Sequence, residues 1–427
     1  MEKVIEGILV SAEKVERAQI VICDQSGLIK EVGQLGISRS RVDYYYGDDL
    51  LIFAGMGDVH IHAREDVSGQ HNYKEDFLSV SQAALNGGVT AVCDMPNNPV
   101  PPIDESSYKA KLDKAIGKSK IPMILYAGIG PATMPLPFCV PYKAYMGPSI
   151  GELFFTDQAQ LEESLVNYSD QYVSFHCEDP EILENSKKCS THFSRRPRQA
   201  EIIATKFALH LIEKYNLKGK LCHYSVKEGL PLIKKAKERG LNVLTEVTPQ
   251  HLYFSQEELE GPKDMLRLQM NPPIRKDDDR IALLKSLKKG EIDFLATDHA
   301  PHTLEEKMAG TSGLTGLDTY GPFVTWLIVT QGVDPKIVAK ICCENPGKFM
   351  QPFIETYHRL RPDTLSWGDG LGSIKTGFCA NLTVLNLKTP TVIKAENLKT
   401  KVAHSPFEGV TFPGKVEATF LFGVQST

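Results

Sequence analysis

The segment Asp58-Val59-His60-Ile61-His62-Ala63-Arg64 closes an apolar run, and its two histidines stand two residues apart. On a strand that spacing puts both imidazoles on one face, and paired imidazoles are a start for a metal site. Taken alone, His-x-His is as readily a pair of packing residues. Further segments shift the balance. Lys143 lies among apolar and aromatic residues in Pro141-Tyr142-Lys143-Ala144-Tyr145-Met146-Gly147. Ser174-Phe175-His176-Cys177-Glu178, Leu221-Cys222-His223-Tyr224 and Ala296-Thr297-Asp298-His299-Ala300-Pro301-His302 each close an apolar run on histidine or aspartate. A buried ammonium is expensive unless it is paired or loses its charge. It cannot ligate a metal as it stands, but carbamylation by carbon dioxide would give Lys143 two anionic oxygens, enough to bridge two cations. Imidazole nitrogen with carboxylate-type oxygen points to zinc. Two bridged metals can make hydroxide from a shared water near neutral pH and polarise a carbonyl. Asp298 could hold a metal and still move a proton to a leaving nitrogen.

Such a set needs a scaffold that brings distant strand ends together. Apolar β-type runs occur at Leu50–Ile61, Val89–Met95, Pro122–Ile129, Val140–Met146, Tyr172–His176, Lys220–Tyr224, Asn242–Val247 and Ile292–Thr297. Helix-type stretches such as Tyr73–Asn86, Asp104–Gly117, Pro197–Tyr215, Val226–Arg239 and Asp279–Lys288 lie between them. Strands alternating with helices read as parallel βα units, and eight of them close a (β/α)8 TIM barrel, whose reactive groups sit at the C-terminal strand ends. An open doubly wound sheet is the runner-up, but no Gly-rich phosphate fingerprint follows the first strand. Both chain ends are β-rich: Ile5 to Val10 and Ala18 to Cys23 flank the turn Asp24-Gln25-Ser26-Gly27, and Ala380 to Leu385 and Ala418 to Leu421 read as strands. The expected architecture is α/β. Residues 51–365 form the barrel, while 1–50 and 366–427 combine into a small discontinuous β-sandwich domain.

Composition removes other classes. The chain has 427 residues, 42% hydrophobic and 24% charged, unlike a collagen-like, disordered or coiled-coil protein. Its net charge of −5 implies no broad basic surface, so nucleic acid is not an expected partner. No apolar run approaches ~18 residues, so no membrane span is expected. The start, Met1-Glu2-Lys3-Val4-Ile5-Glu6, has no signal-peptide pattern. The nine cysteines include no CxxC pair and read as reduced thiols of a cytoplasmic protein. Asp277-Asp278-Asp279 reads as the start of a helix. Arg195-Arg196-Pro197-Arg198 reads as a solvated turn in preference to a basic cluster lining the mouth for an anionic substrate, and His71, His192, His210, His358 and His404 read as surface or packing residues.

From about Leu51 to Leu317 the chain resembles the dihydroorotase family of the amidohydrolase superfamily. The resemblance is carried by Gly57-Asp58-Val59-His60-Ile61-His62-Ala63-Arg64-Glu65, Gly88-Val89-Thr90-Ala91-Val92-Cys93-Asp94-Met95-Pro96-Asn97, Met270-Asn271-Pro272-Pro273-Ile274-Arg275 and Ala296-Thr297-Asp298-His299-Ala300-Pro301-His302-Thr303-Leu304-Glu305-Glu306-Lys307. It implies that His60, His62 and Asp298 hold one zinc and His176 and His223 a second. Carbamylated Lys143 and a hydroxide would bridge them, with Asp298 as general acid/base. It implies that Arg64 and Asn97 grip a substrate carboxylate with help from His302, that Asn271 bonds the ring, and that Gly313 offers backbone contact. The implied reaction is the reversible closure of N-carbamoyl-L-aspartate to L-dihydroorotate in pyrimidine biosynthesis, by a homodimer.

The chain departs from the family pattern in three places. Glu65 is followed by Asp66-Val67 rather than Pro-Gly, so the first loop is expected to take another shape. Gln250-His251 stands where a His-His pair is common, and His251 is read as structural. The segment Met146-Gly147-Pro148-Ser149-Ile150-Gly151 is unlike better-known lids. Other readings stay open. Hydantoinases, dihydropyrimidinases and allantoinases share the metal frame but act on rings without the carboxylate that Arg64 would grip, unless Arg64 merely pairs with Glu65 or Asp66. A metal-free scaffold homologue, or a mononuclear enzyme with Lys143 as a plain amine, would use the same fold.

Overall fold

The computed structural model describes residues 2–148, 153–259 and 261–426; Met1 and the lid positions Ser149, Ile150 and Gly151 lie outside them. The expected barrel is present. Its strands are Met56–Ile61, Val89–Asp94, a third in two pieces (Met123–Leu125 and Ala127–Ile129), Tyr142–Tyr145, Tyr172–His176, Lys218–Leu221, Val243–Val247 and Phe294–Leu295. Neighbours pair in parallel throughout. The ring closes where Ile61 bridges His299 and the His62 amide donates to the His299 carbonyl at 2.8 Å. The Asp58 carboxylate reinforces this seam by accepting from the Thr297 amide and hydroxyl.

Local chemistry sets the helices that follow each strand. Asp76 and Asp104 cap Phe77–Asn86 and Glu105–Lys118, each in a reciprocal capping box with a serine three residues on. The helix Asp277–Lys288 starts on its three aspartates, as expected, but Asp279 is buried and accepts from Arg198 and the Lys227 amide. Inside the barrel, Val59, Cys93, Tyr126, Cys222 and Phe294 pack with Phe349 and Phe353 of the helix Asn345–Leu360. That helix covers the N-terminal strand ends, where Pro346 lies against Gly57.

Both chain ends build one eight-stranded sheet. Leu50–Ala54 runs at its centre, parallel to Glu2–Val10 and antiparallel to Leu382–Asn386. The apolar run expected as one strand over Leu50–Ile61 is therefore two strands in different sheets. They meet at Gly55, whose amide donates to the Asn381 carbonyl at 2.6 Å. Both halves are buried on both faces, so hydrophobicity alone carries no mark of the switch. Among the described residues no helix is long and apolar enough to cross a membrane.

Candidate metal centre

Each strand end delivers its polar group to one mouth. His60 lies in the first strand, Lys143 in the fourth and His176 at the end of the fifth. His62, His223 and Asp298 follow the first, sixth and eighth. All six are buried. Arg64, His223 and Asp298 hold positive φ angles of 63°, 34° and 48°. For residues with a Cβ this costs on the order of 1 kcal/mol each and marks positions the surroundings enforce.

The side chains converge. Asp298 Oδ1 lies 3.2 Å from His60 Nε2 and 3.0 Å from His62 Nε2, and ligand atoms of these three residues fall within 4.8 Å of one another. On the other side His176 Nδ1 faces His223 Nε2 at 2.9 Å. The ring centroids of His60 and His223 are 5.3 Å apart, which joins the two groups. Three of the four imidazoles are turned by a partner behind them. Glu246 accepts from His60 Nδ1, Asn97 Oδ1 from His62 Nδ1 at 2.6 Å, and Glu178 from His176 Nε2 at 2.8 Å. Carboxylate or amide oxygen behind a histidine is the usual device for aiming a metal ligand. Burial pushes His60 down to about 4 and carries His62, His176 and His223 below their ordinary value. The rings are therefore neutral at neutral pH, the state that offers a lone pair to a cation.

Three buried atoms beside the cluster have no hydrogen-bond partner among the described residues: His223 Nδ1, the Tyr145 hydroxyl and Asn271 Oδ1. Such orphans at a polar cavity indicate a site shaped for a guest. The donor set fits divalent cations. Nitrogen and carboxylate ligands suit zinc, and His60, His62 and Asp298 bring three such groups together.

Lys143 is the exceptional lysine. Five lysines are buried among the described residues. Lys74, Lys111 and Lys220 pair with Glu306, Asp94 and Glu246. Lys307 gives its ammonium to the carbonyls of Gln269 and Thr311 at 2.7 and 2.9 Å. Lys143 reaches only the Cys222 sulfur at 2.9 Å and the Tyr145 ring at 5.2 Å. Of the five, Lys143 is the one whose ammonium meets neither a carboxylate nor a carbonyl oxygen among the described residues, and a buried ammonium without such a partner is costly.

The chamber is lined by His60, His62, Arg64, Asn97, Tyr145, His176, His223, Asn271, Asp298, Ala300, Ser312 and Gly313. It adjoins, through Asn271 and Ser312, an outer cavity of about 350 Å³ with Lys187, His192, Arg195 and Arg196 on its wall. Arg64 forms no ion pair among the described residues. Its Nε donates to the Pro301 carbonyl at 3.2 Å and one terminal nitrogen to His302 Nε2 at 3.0 Å. Glu65 pairs with Lys118 instead, and Asp66 closes its own turn by accepting from Ser68 and Gly69. His302 stands behind Arg64 rather than on the chamber wall. Burial, with Arg64, Lys74 and Lys307 nearby, holds it neutral.

One expectation changes. Arg196, read as part of a solvated turn, folds over the fifth strand and pairs with Glu178, which holds His176. His192 reaches in to the Met270 carbonyl at 2.9 Å and lines the outer cavity. His251 is structural, bonded to Thr248 and the Pro272 carbonyl. Residues missed at the sequence level are Tyr145, Glu178, Glu246, Lys220 and Ser312. A glutamate inside the apolar run Val243–Val247 was the one available signal, because a charge there must be paired.

A scan against protein-family models finds no match. Among curated proteins the chain is 31% identical to the dihydroorotase of Pyrococcus furiosus, covering 99% of this chain and 92% of that one. It is 33% identical to the dihydroorotase of Pyrococcus horikoshii over 87% and 80% of the two chains. Among solved structures, L-hydantoinase from Arthrobacter aurescens superposes with a TM-score of 0.84 at 22% identity, covering 100% of this chain and 96% of that one. At that identity the likeness is one of fold.

Proposed function

The chain belongs to the dihydroorotase family of the amidohydrolase superfamily, and from that membership we propose that it interconverts N-carbamoyl-L-aspartate and L-dihydroorotate. The observation that carries the substrate choice is Arg64, a buried guanidinium on the chamber wall with no carboxylate paired to it among the described residues. A planar fork of donors beside neutral imidazoles suits the carboxylate that distinguishes dihydroorotate from the uncharged rings of hydantoin or dihydrouracil.

His60, His62 and Asp298 would hold one zinc, and His176 and His223 a second, with carbamylated Lys143 between them. Bound there, the metals would supply an activated water and a polarised carbonyl. In the hydrolytic direction water adds to the ring carbonyl carbon and the carbon–nitrogen bond breaks. Asp298, on the chamber wall, takes the proton from the water and returns it to the departing nitrogen. Arg64 and Asn97 orient the substrate carboxylate, Asn271 Oδ1 accepts from a ring N–H, and the Gly313 segment closes the far wall. His302 keeps the Arg64 fork aimed. The nine free thiols suit a reducing compartment, the cytoplasm.

The test is direct. The zinc-loaded chain should turn over dihydroorotate in both directions. Turnover of hydantoin or dihydrouracil with none of dihydroorotate would overturn the reading. Chelation should abolish activity and zinc restore it. The intact protein should carry the mass of one added carbon dioxide, lost in Lys143→Met together with a metal ion, as metal analysis and native mass spectrometry would report. A smaller change tests the chamber's shape. A Cβ on Gly313, at φ 136°, would meet the Ala300 carbonyl at 2.6 Å and the His302 ring at 2.9 Å. Gly313→Ala is therefore expected to displace the group that aims Arg64 and to lower kcat/KM by roughly 10²-fold, read by steady-state kinetics.

A further inference from the structure

Behind the ligands, the barrel interior holds a second ammonium. Lys220 leaves the sixth strand inward, is 1% exposed, and lies between the candidate ligands and the helix Asn345–Leu360. Its nitrogen is 5.7 Å from the ring centres of both Tyr126 and Phe349, pairs with Glu246, and stands 3.8 Å from the Cys222 sulfur. Glu246 uses one oxygen for Lys220. The other accepts from His60 Nδ1 and, at 2.9 Å, from the His223 amide. One carboxylate thus touches a residue from each half of the candidate centre, and its free oxygen is anchored by one buried cation. We propose that Lys220 is a positioning residue for the metal centre: it locks Glu246 in the orientation that turns His60 Nε2 toward Asp298 and pins the backbone of His223. This rests on the reading of His60 and His223 as metal ligands.

The geometry favours this over a purely structural pair. An ion pair needed only for folding has no reason to spend its second oxygen on two candidate ligands from different strands. Among the described residues Lys220 is the one hydrogen-bond partner of the inner Glu246 oxygen, so without it the carboxylate is held by its outer oxygen alone. The chain of action is serial, Lys220 to Glu246 to His60, so its links should not add when removed together.

The experiment compares the parent with Lys220→Met, Glu246→Gln and the double variant. Each single change leaves one buried charge unpaired, so the double variant, which removes both, is the one expected to keep the fold, checked by circular dichroism and melting. Zinc affinity is measured by chelator competition, and the ligand field by the visible spectrum of the cobalt-substituted protein. Glu246→Gln and the double variant are expected to bind zinc about 10- to 100-fold more weakly than the parent. They should share one altered cobalt spectrum, with kcat reduced and KM little changed. Lys220→Met should match them. The proposal is overturned if Lys220→Met keeps parental zinc affinity and cobalt spectrum. It is also overturned if adding Lys220→Met to Glu246→Gln weakens zinc further. If the parent itself binds no zinc, the failure belongs to the reading of the centre and not to Lys220.

Discussion

Asp298→Asn should lower kcat by about 10²- to 10⁴-fold in both directions of the reaction, the range in which a positioned acid/base acts. Asparagine keeps the shape of the side chain, tolerates the φ of 48° at this position, and still offers an oxygen toward His60 Nε2 and His62 Nε2. What it cannot do is take a proton from water and give it up to nitrogen. The two functions can be separated by metal analysis. If Asp298→Asn retains metal while kcat collapses, the loss is one of proton transfer. Asp298→Ala removes the oxygen as well and should lose metal besides. Activity of Asp298→Asn within tenfold of the parent, in either direction, would exclude this residue as the proton carrier.

The ligand-type residues were legible because a barrel places its chemistry at strand ends, and strand ends can be read from where apolar runs stop. His62, His176, His223 and Asp298 all sit at such stops, and Lys143 stood out as a charge in an apolar segment. The groups that aim these residues were not legible. Glu246 reaches His60 across 186 positions of sequence, a contact made by barrel closure rather than by local pattern. Arg196 looked like an exposed turn because its neighbours are basic and Pro197 follows it. Only the fold shows that it covers the fifth strand and meets Glu178. The division of Leu50–Ile61 between two sheets was hidden for a related reason. A strand buried on both faces reads the same whether it lies in a barrel or in an adjoining sheet.

Arg64→Met is expected to weaken kcat/KM for dihydroorotate by about 2–5 kcal/mol, the cost of truncating one partner of a buried charge pair, or roughly 30-fold to several thousand-fold. The effect should fall mainly on KM, since the carboxylate it grips is remote from the bond that breaks and is held alike in ground and transition states. Burial is what makes the number large. Arg64 is 3% exposed, and burial already works against its charge, so a carboxylate that enters beside it meets a cation in low dielectric rather than a screened surface pair. Arg64→Lys keeps the charge but not the planar fork with its second parallel hydrogen bond, so it should fall between the parent and Arg64→Met. The comparison substrate is dihydrouracil, the same ring without the carboxylate. Whatever low rate the parent shows with it should change little in Arg64→Met, so the ratio of the two kcat/KM values should collapse toward unity. If instead both substrates lose activity in proportion, Arg64 supports the chamber through Pro301 and His302 and does not read the carboxylate. The preference for dihydroorotate would then have to come from Asn97 and Asn271.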